Sequence, residues 1–128
     1  MDFKFNTKEP LYRQIAQQLE EMIFVQELAE GEQVPSTTQL SQELSINPAT
    51  VLKGMNLLVN AGLIEKRRGM GMFVCVGAYK KIVAQRQKSF YQDYVKEMLW
   101  EAKQLHISKK SLLDMIERGD CNDETSSK

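Results

Sequence analysis

The side chains equipped for chemistry in this chain are hydrogen-bond donors and cations, gathered in two short stretches. One holds Ser36, Thr38, Asn47, Ala49, Thr50, Lys53 and Asn56; the other is Lys66-Arg67-Arg68 followed by Gly69 and Gly71. Such residues suit a polyanion with base edges to read. Hydroxyls donate to phosphate, Lys and Arg neutralise it, Asn bonds to bases, and the methyl of Ala49 matches a thymine methyl. Glycines at 69 and 71 would let backbone approach closely. Catalysis finds no comparable set: no Ser/His/Asp arrangement, metal-ligand spacing, phosphate-cradling loop or paired carboxylates emerges. His106 is the single histidine, read here as a residue of an inter-helix turn. The expectation is no enzyme, no metal and no cofactor.

The elements needed to position these groups are legible. Leu11, Ile15, Leu19, Met22, Ile23 and Gln26 follow one helical face behind Pro10, giving a first helix from Pro10 to Leu28 that stops before Gly31. Ser36 with Gln39 three residues on forms a capping box for a second helix over Thr37 to Leu44, with Leu40 and Leu44 inward. Asn47 as N-cap and Pro48 at the first position open a third helix, which buries Val51, Met55, Leu58 and Val59 and ends at Gly62. Leu63-Ile64 and Phe73 to Val76 then flank a glycine-rich turn, the pattern of a β-hairpin. Strand alternation puts Lys66 and Arg68 on one face and Arg67 on the other, so the three do not act alike. At the amino end, Phe3 and Phe5 alternate with polar residues and fit either an edge strand or an arm packed on the body.

From Tyr79 the helical period returns for about 27 residues, long for a small domain. Its stripe is Tyr79, Ile82, Val83, Phe90, Tyr94, Met98, Ala102 and Leu105, widened by Tyr91, Val95 and Leu99, with Trp100 beside it. Ser108 caps a last helix, Lys109 to Arg118, with Leu112, Leu113 and Ile116 apolar and Gly119 as its stop. Two helices offer too little surface to cover each other, so a second copy is expected on Ile82, Val83, Phe90, Tyr91, Tyr94, Met98, Trp100, Leu105, Leu112, Leu113 and Ile116. The expected division is 1–77, 78–119 and a disordered polar tail over 120–128. The fold class is mainly α with a small β-hairpin.

Net charge is uninformative, with 17 basic against 17 acidic residues, but its distribution is uneven. From Lys53 to Lys88 eight basic residues face one acidic residue, whereas from Glu9 to Glu43 seven Glu face one Arg. One face for a polyanion and another kept solvated would produce this. Cys75 and Cys121 show no paired spacing, which fits a reducing compartment. No apolar run nears the ~20 residues that span a bilayer, so a cytoplasmic protein without membrane association is expected.

Helix, short helix, turn, helix and hairpin in this order make the winged helix-turn-helix plan, in which the third helix enters the DNA major groove and the hairpin reaches adjoining backbone or minor groove. PLYRQIAQQLEEMI, GEQVPSTTQLSQELSINPATV and AGLIEKRRGMGMFV, in that order, resemble the DNA-binding domain of the GntR family of bacterial transcriptional regulators. The Asn47-Pro48-Ala49-Thr50-Val51 run and the small helical tail resemble the YtrA branch. The resemblance implies a winged helix-turn-helix domain with a two-helix dimerisation tail, and a dimeric repressor of nearby transporter genes acting at an inverted-repeat, double-stranded operator. It also implies that Lys53 stands where that branch tends to carry a basic residue. Thr38, Pro48 and Leu52 stand where relatives commonly carry Arg, and Met72 where Thr is usual, so the operator should differ from that of Arg-rich relatives. A small-molecule effector of unknown identity is a further partner to test. The other reading is a winged-helix module for protein interaction without specific DNA binding.

Overall fold

The computed structural model describes residues 2–126, with side chains through Gly119. Helix α1 covers Leu11–Phe24, and the carbonyl of Pro10 accepts from Arg13 and Gln14 N–H at 3.1 and 3.2 Å. It stops four residues before the expected Leu28. Gln26 takes a left-handed φ of 65°, its N–H bonding Ile23 O at 3.1 Å while Glu27 N–H bonds Met22 O at 2.8 Å. This paired closure normally uses Gly; with Gln in that place, the sequence pointed past the true end to Gly31.

Helix α2 covers Thr37–Leu44, and Ser36 Oγ accepts from Gln39 N–H at 3.0 Å, the expected cap. Helix α3 covers Pro48–Asn60, with Asn47 Oδ1 accepting from Ala49 N–H at 2.8 Å. Gly62, at φ 76°, closes α3 by the same paired bonds, to Val59 O and from Leu63 N–H to Leu58 O, both 3.0 Å. Strands β1 (Ile64–Arg67) and β2 (Gly71–Val74) pair antiparallel, Ile64 opposite Val74 and Arg67 opposite Gly71. Beside β2 runs the segment before α2: Gly31 N–H bonds Val74 O, Val74 N–H bonds Glu32 O, and Val34 N–H bonds Met72 O, at 2.8 to 2.9 Å.

These elements enclose one core. Ile15, Leu19 and Ile23 of α1 meet Leu40 of α2, Val51, Met55 and Leu58 of α3, and Ile64 and Val74 of the hairpin, each almost wholly buried. Burying a side chain of this size stabilises by about 1.5–3 kcal/mol, so the faces read from helical spacing carry the stability. Leu44 and Val59 pack at the edge of this core, half-buried.

The amino end is an arm, not a strand. Gln18 accepts from Lys4 N–H at 3.0 Å and donates to Lys4 O at 2.7 Å; Gln14 does the same with Asn6, 2.9 Å each way, and also donates to Glu9 O at 2.8 Å. Two side-chain amides on α1 thus bond the arm's backbone as a neighbouring strand would. Gln14, only 3% exposed, is a buried polar group satisfied by this arrangement.

Helix α4 covers Ala78–Phe90. The Glu30 carboxylate accepts from Gly77 and Tyr79 N–H at 2.9 and 3.2 Å, Tyr79 stacks on Phe24 at 5.9 Å, and Lys81 Nζ donates to Gly62 O at 3.2 Å. Ala78 and Ile82 lie within the core, so Ile82, expected at an interface between copies, is instead consumed by packing within the winged unit. A π-helical turn, Tyr91–Val95, and α5, Lys96–Gln104, follow without a break, completing the long helical run expected from Tyr79. His106, at φ 58°, sits in the turn after α5, its N–H bonding Lys103 O at 3.2 Å and Ile107 N–H bonding Ala102 O at 2.9 Å. Helix α6 covers Lys109–Ser126, with Ser108 Oγ accepting from Ser111 N–H at 3.1 Å. Its backbone passes Gly119, which does not stop it, and is helical through much of the segment expected to be a disordered tail; 127–128 and the side chain of Cys121 lie outside the described residues. The chain forms two compact units, Met1–Gln85 and Arg86–Lys128, dividing within α4 rather than before it.

Candidate nucleic-acid interface

Helix α3 is amphipathic in the way a groove-reading helix requires. Val51, Gly54, Met55 and Leu58 are buried, while Asn47, Ala49, Lys53 and Asn56 are exposed and Thr50 is half-buried. Leu52 is also exposed and adds no charge to this surface. Asn47 spends its carbonyl oxygen on the cap but keeps its NH₂ group for donation. Ser36 likewise spends a lone pair on Gln39 N–H and retains its hydroxyl proton. Thr38 is exposed on the first turn of α2.

Gly54 decides how closely α3 approaches α1. A Cβ there would lie 2.7 Å from Tyr12 O and 3.2 Å from Ile15 Cβ, so only glycine permits this crossing. Next to that contact, Lys53 Nζ lies 4.2 Å from the centroid of the Tyr12 ring, within cation–π range. Arg13 Nε donates to Tyr12 Oη at 3.4 Å, which lowers the phenol pKa below its ordinary value, with smaller help from the charges of Arg13 and Lys53. Tyr12 and Arg13 were absent from the residues singled out by sequence. The available signal was Gly54: a glycine on the buried face of a helix marks close approach by a neighbour.

The hairpin separates its three cations. Arg67 is half-buried, its guanidinium 4.2 Å over the Phe73 ring and its Nε 3.3 Å from Glu65 Oε2. Lys66 and Arg68 are exposed. Register explains the difference, because Glu65 lies opposite Phe73 and Arg67 shares their face. Gly69 takes φ 74° at the turn and Gly71 takes φ 111° at the start of β2, as the hairpin pattern requires. Gln33 Nε2 donates to Met70 O at 2.7 Å, and a Cβ on Gly71 would come within 2.8 Å of that same nitrogen. Gln33 therefore buttresses the turn, a role no local sequence pattern announces. Cys75 lies behind the hairpin, its thiol pKa raised mainly by burial and secondarily by Glu65.

Along the helices after the hairpin, most apolar residues past Ile82 stay uncovered within one chain. Phe90, Tyr91, Tyr94, Met98, Trp100, Leu105, Leu113 and Ile116 are exposed, reaching 66% for Tyr94 and 67% for Leu105, while Val83 and Leu112 are half-buried. Phe90 and Tyr94 rings lie 5.3 Å apart. Among the described residues no group of three or more His, Cys, Asp or Glu is placed to hold a metal, and no helix is long and apolar enough to cross a membrane.

Comparison with known proteins agrees with this architecture. Residues 11–74 match the model of "Bacterial regulatory proteins, gntR family". The chain is 28% identical to the uncharacterised HTH-type transcriptional regulator YhcF of Bacillus subtilis, over 91% of this chain and 94% of that protein. It is 27% identical to the HTH-type transcriptional repressor YtrA of Bacillus subtilis, over 84% of this chain and 82% of that protein. A transcriptional regulator from Oenococcus oeni has a similar fold, with a TM-score of 0.76 at 20% identity over 90% of this chain and 94% of that one. With its helices, hairpin and motifs in the family's order, the chain belongs to the gntR family of bacterial regulatory proteins and is a YtrA-like, DNA-binding transcriptional regulator.

Proposed function

We propose that the protein is a cytoplasmic, dimeric repressor that acts by occupying an inverted-repeat operator, without catalysis or a cofactor. Helix α3 enters the major groove and the hairpin lies on the adjoining backbone or minor groove. The observation that carries this reading is the outer side of α3, where Asn47, Lys53 and Asn56 are exposed beside Ala49 and half-buried Thr50, opposite the buried Val51, Gly54, Met55 and Leu58. Ser36 and Thr38 supply hydroxyl contacts to phosphate, and Lys66, Arg68 and the backbone at Gly69 and Gly71 supply the wing. Arg67 contributes less, being engaged by Glu65 and Phe73.

Dimerisation is supported by the aromatic and aliphatic side chains left exposed along the second unit, among them Tyr94, Trp100, Leu105 and Leu113, since exposed apolar surface of this kind marks an interaction site when it is contiguous. A two-fold dimer reads half-sites about one helical turn, or a multiple, apart. The test is a mobility shift and footprint on the promoter of the protein's own gene. Four phosphates neutralised per protomer give a slope of log affinity against log salt of roughly −7 for the dimer. Absence of a salt-dependent, sequence-selective complex overturns the proposal. If Lys53→Ala and Arg68→Ala leave the protein's activity intact, the protein-interaction reading takes its place.

A further inference from the structure

Lys53 and Tyr12 form a pair that the groove-reading scheme does not use. The Lys53 ammonium sits 4.2 Å from the Tyr12 ring centroid, where the ring quadrupole attracts it. The ring itself is well placed: Tyr12 is half-buried, and its backbone oxygen marks the tightest approach of α1 to Gly54, the residue after Lys53. On the same ring, Arg13 places its guanidinium carbon 6.0 Å from the centroid and gives one N–H to the hydroxyl. Guanidinium has five donors, so four remain.

A lysine on a solvated helix face scatters its head over many rotamers, and binding must gather them. A ring beneath the ammonium gathers them beforehand, and the lysine's methylenes can stay over the ring while the head turns to an acceptor. We propose that Tyr12 is a positioning residue that aims Lys53 at the operator, and that Arg13 adds a phosphate contact, making α1 a further DNA-facing element beside the start of α2, α3 and the wing. This rests on α3 as the reading helix.

The experiment is a double-mutant cycle on the full-length protein, measured on operator and on random duplex across a salt series. Tyr12→Leu weakens operator binding about three- to fivefold. Tyr12→Phe, which keeps the ring, restores most of that loss. Lys53→Ala costs less in the Tyr12→Leu background than in the parent protein. Arg13→Gln lowers affinity alike on both duplexes and shrinks the salt slope by about 0.9 per protomer. Additive effects of Tyr12→Leu and Lys53→Ala, or a Tyr12→Phe variant as weak as Tyr12→Leu, overturn the positioning role; an unchanged slope overturns the Arg13 contact. An NMR measurement without DNA separates this from the operator reading. Upfield ring-current shifts of the Lys53 ε-methylene, lost in Tyr12→Leu, report the pair even if no selective complex forms, and their absence in the parent protein refutes it.

Discussion

At the scale of single residues, identical charges have different fates. Lys66, Arg67 and Arg68 are consecutive, yet Arg67 is held over Phe73 and against Glu65 while its neighbours face solvent. Lys66→Ala and Arg68→Ala should each reduce the salt slope of operator binding by about 0.9 per protomer, whereas Arg67→Ala should leave the slope unchanged. The measurement is a salt titration of the mobility shift. Alternation made the separation of Arg67 legible in sequence, but the identity of its face depended on register with Phe73. Cys75 offers a check independent of DNA. Its raised pKa leaves less thiolate at any pH below the shifted value, so iodoacetamide at pH 8 should modify Cys75 more slowly in the folded protein than in urea, as read by peptide mass mapping. Modification at equal rates would show that burial does not protect this sulfur.

At the scale of elements, inward faces were legible and helix ends less so. Period and caps placed α2 and α3 because Ser36, Asn47, Pro48 and Gly62 each serve a local function that sequence displays. Helix α1 and the turn after α5 close instead on Gln26 and His106, exposed residues whose left-handed angles accompany local backbone hydrogen bonds and are not announced by a glycine. The arm was open to two readings because its partners are Gln side chains eight and fourteen residues away, not another strand. Its amide pattern gives a prediction: Lys4 and Asn6 N–H groups should exchange with deuterium more slowly than Phe5 N–H, and Gln18→Ala should remove the protection at Lys4 alone. Close helix packing gives another. Gly54→Ala must push α3 from Tyr12 O and should lower unfolding free energy by about 1–3 kcal/mol, measured by urea titration.

For the whole molecule, the two compact units contrast in how they satisfy their apolar residues. The winged unit buries a continuous core, while among the described residues of the second unit only Ala102 is buried. Sequence displayed the second unit's apolar stripe but did not separate it from Ile82, because one helical period runs across both uses. If a second copy covers the stripe, Tyr94→Glu or Leu113→Glu should yield a monomer by sedimentation. Such a variant should keep half-site binding but lose at least ~10²-fold on the full operator, the gain that linkage ordinarily supplies. The π turn at Tyr91–Val95 has a different consequence. A wide turn of this kind is what one inserted residue makes of an α-helix. Deleting Gln92 should let the turn close as ordinary α-helix with flanking side chains keeping their direction, whereas deleting Lys88 should turn the helix positions that follow it by about 100°. The π turn is thus the place in this helical run where losing one residue should least disturb the directions of the side chains around it.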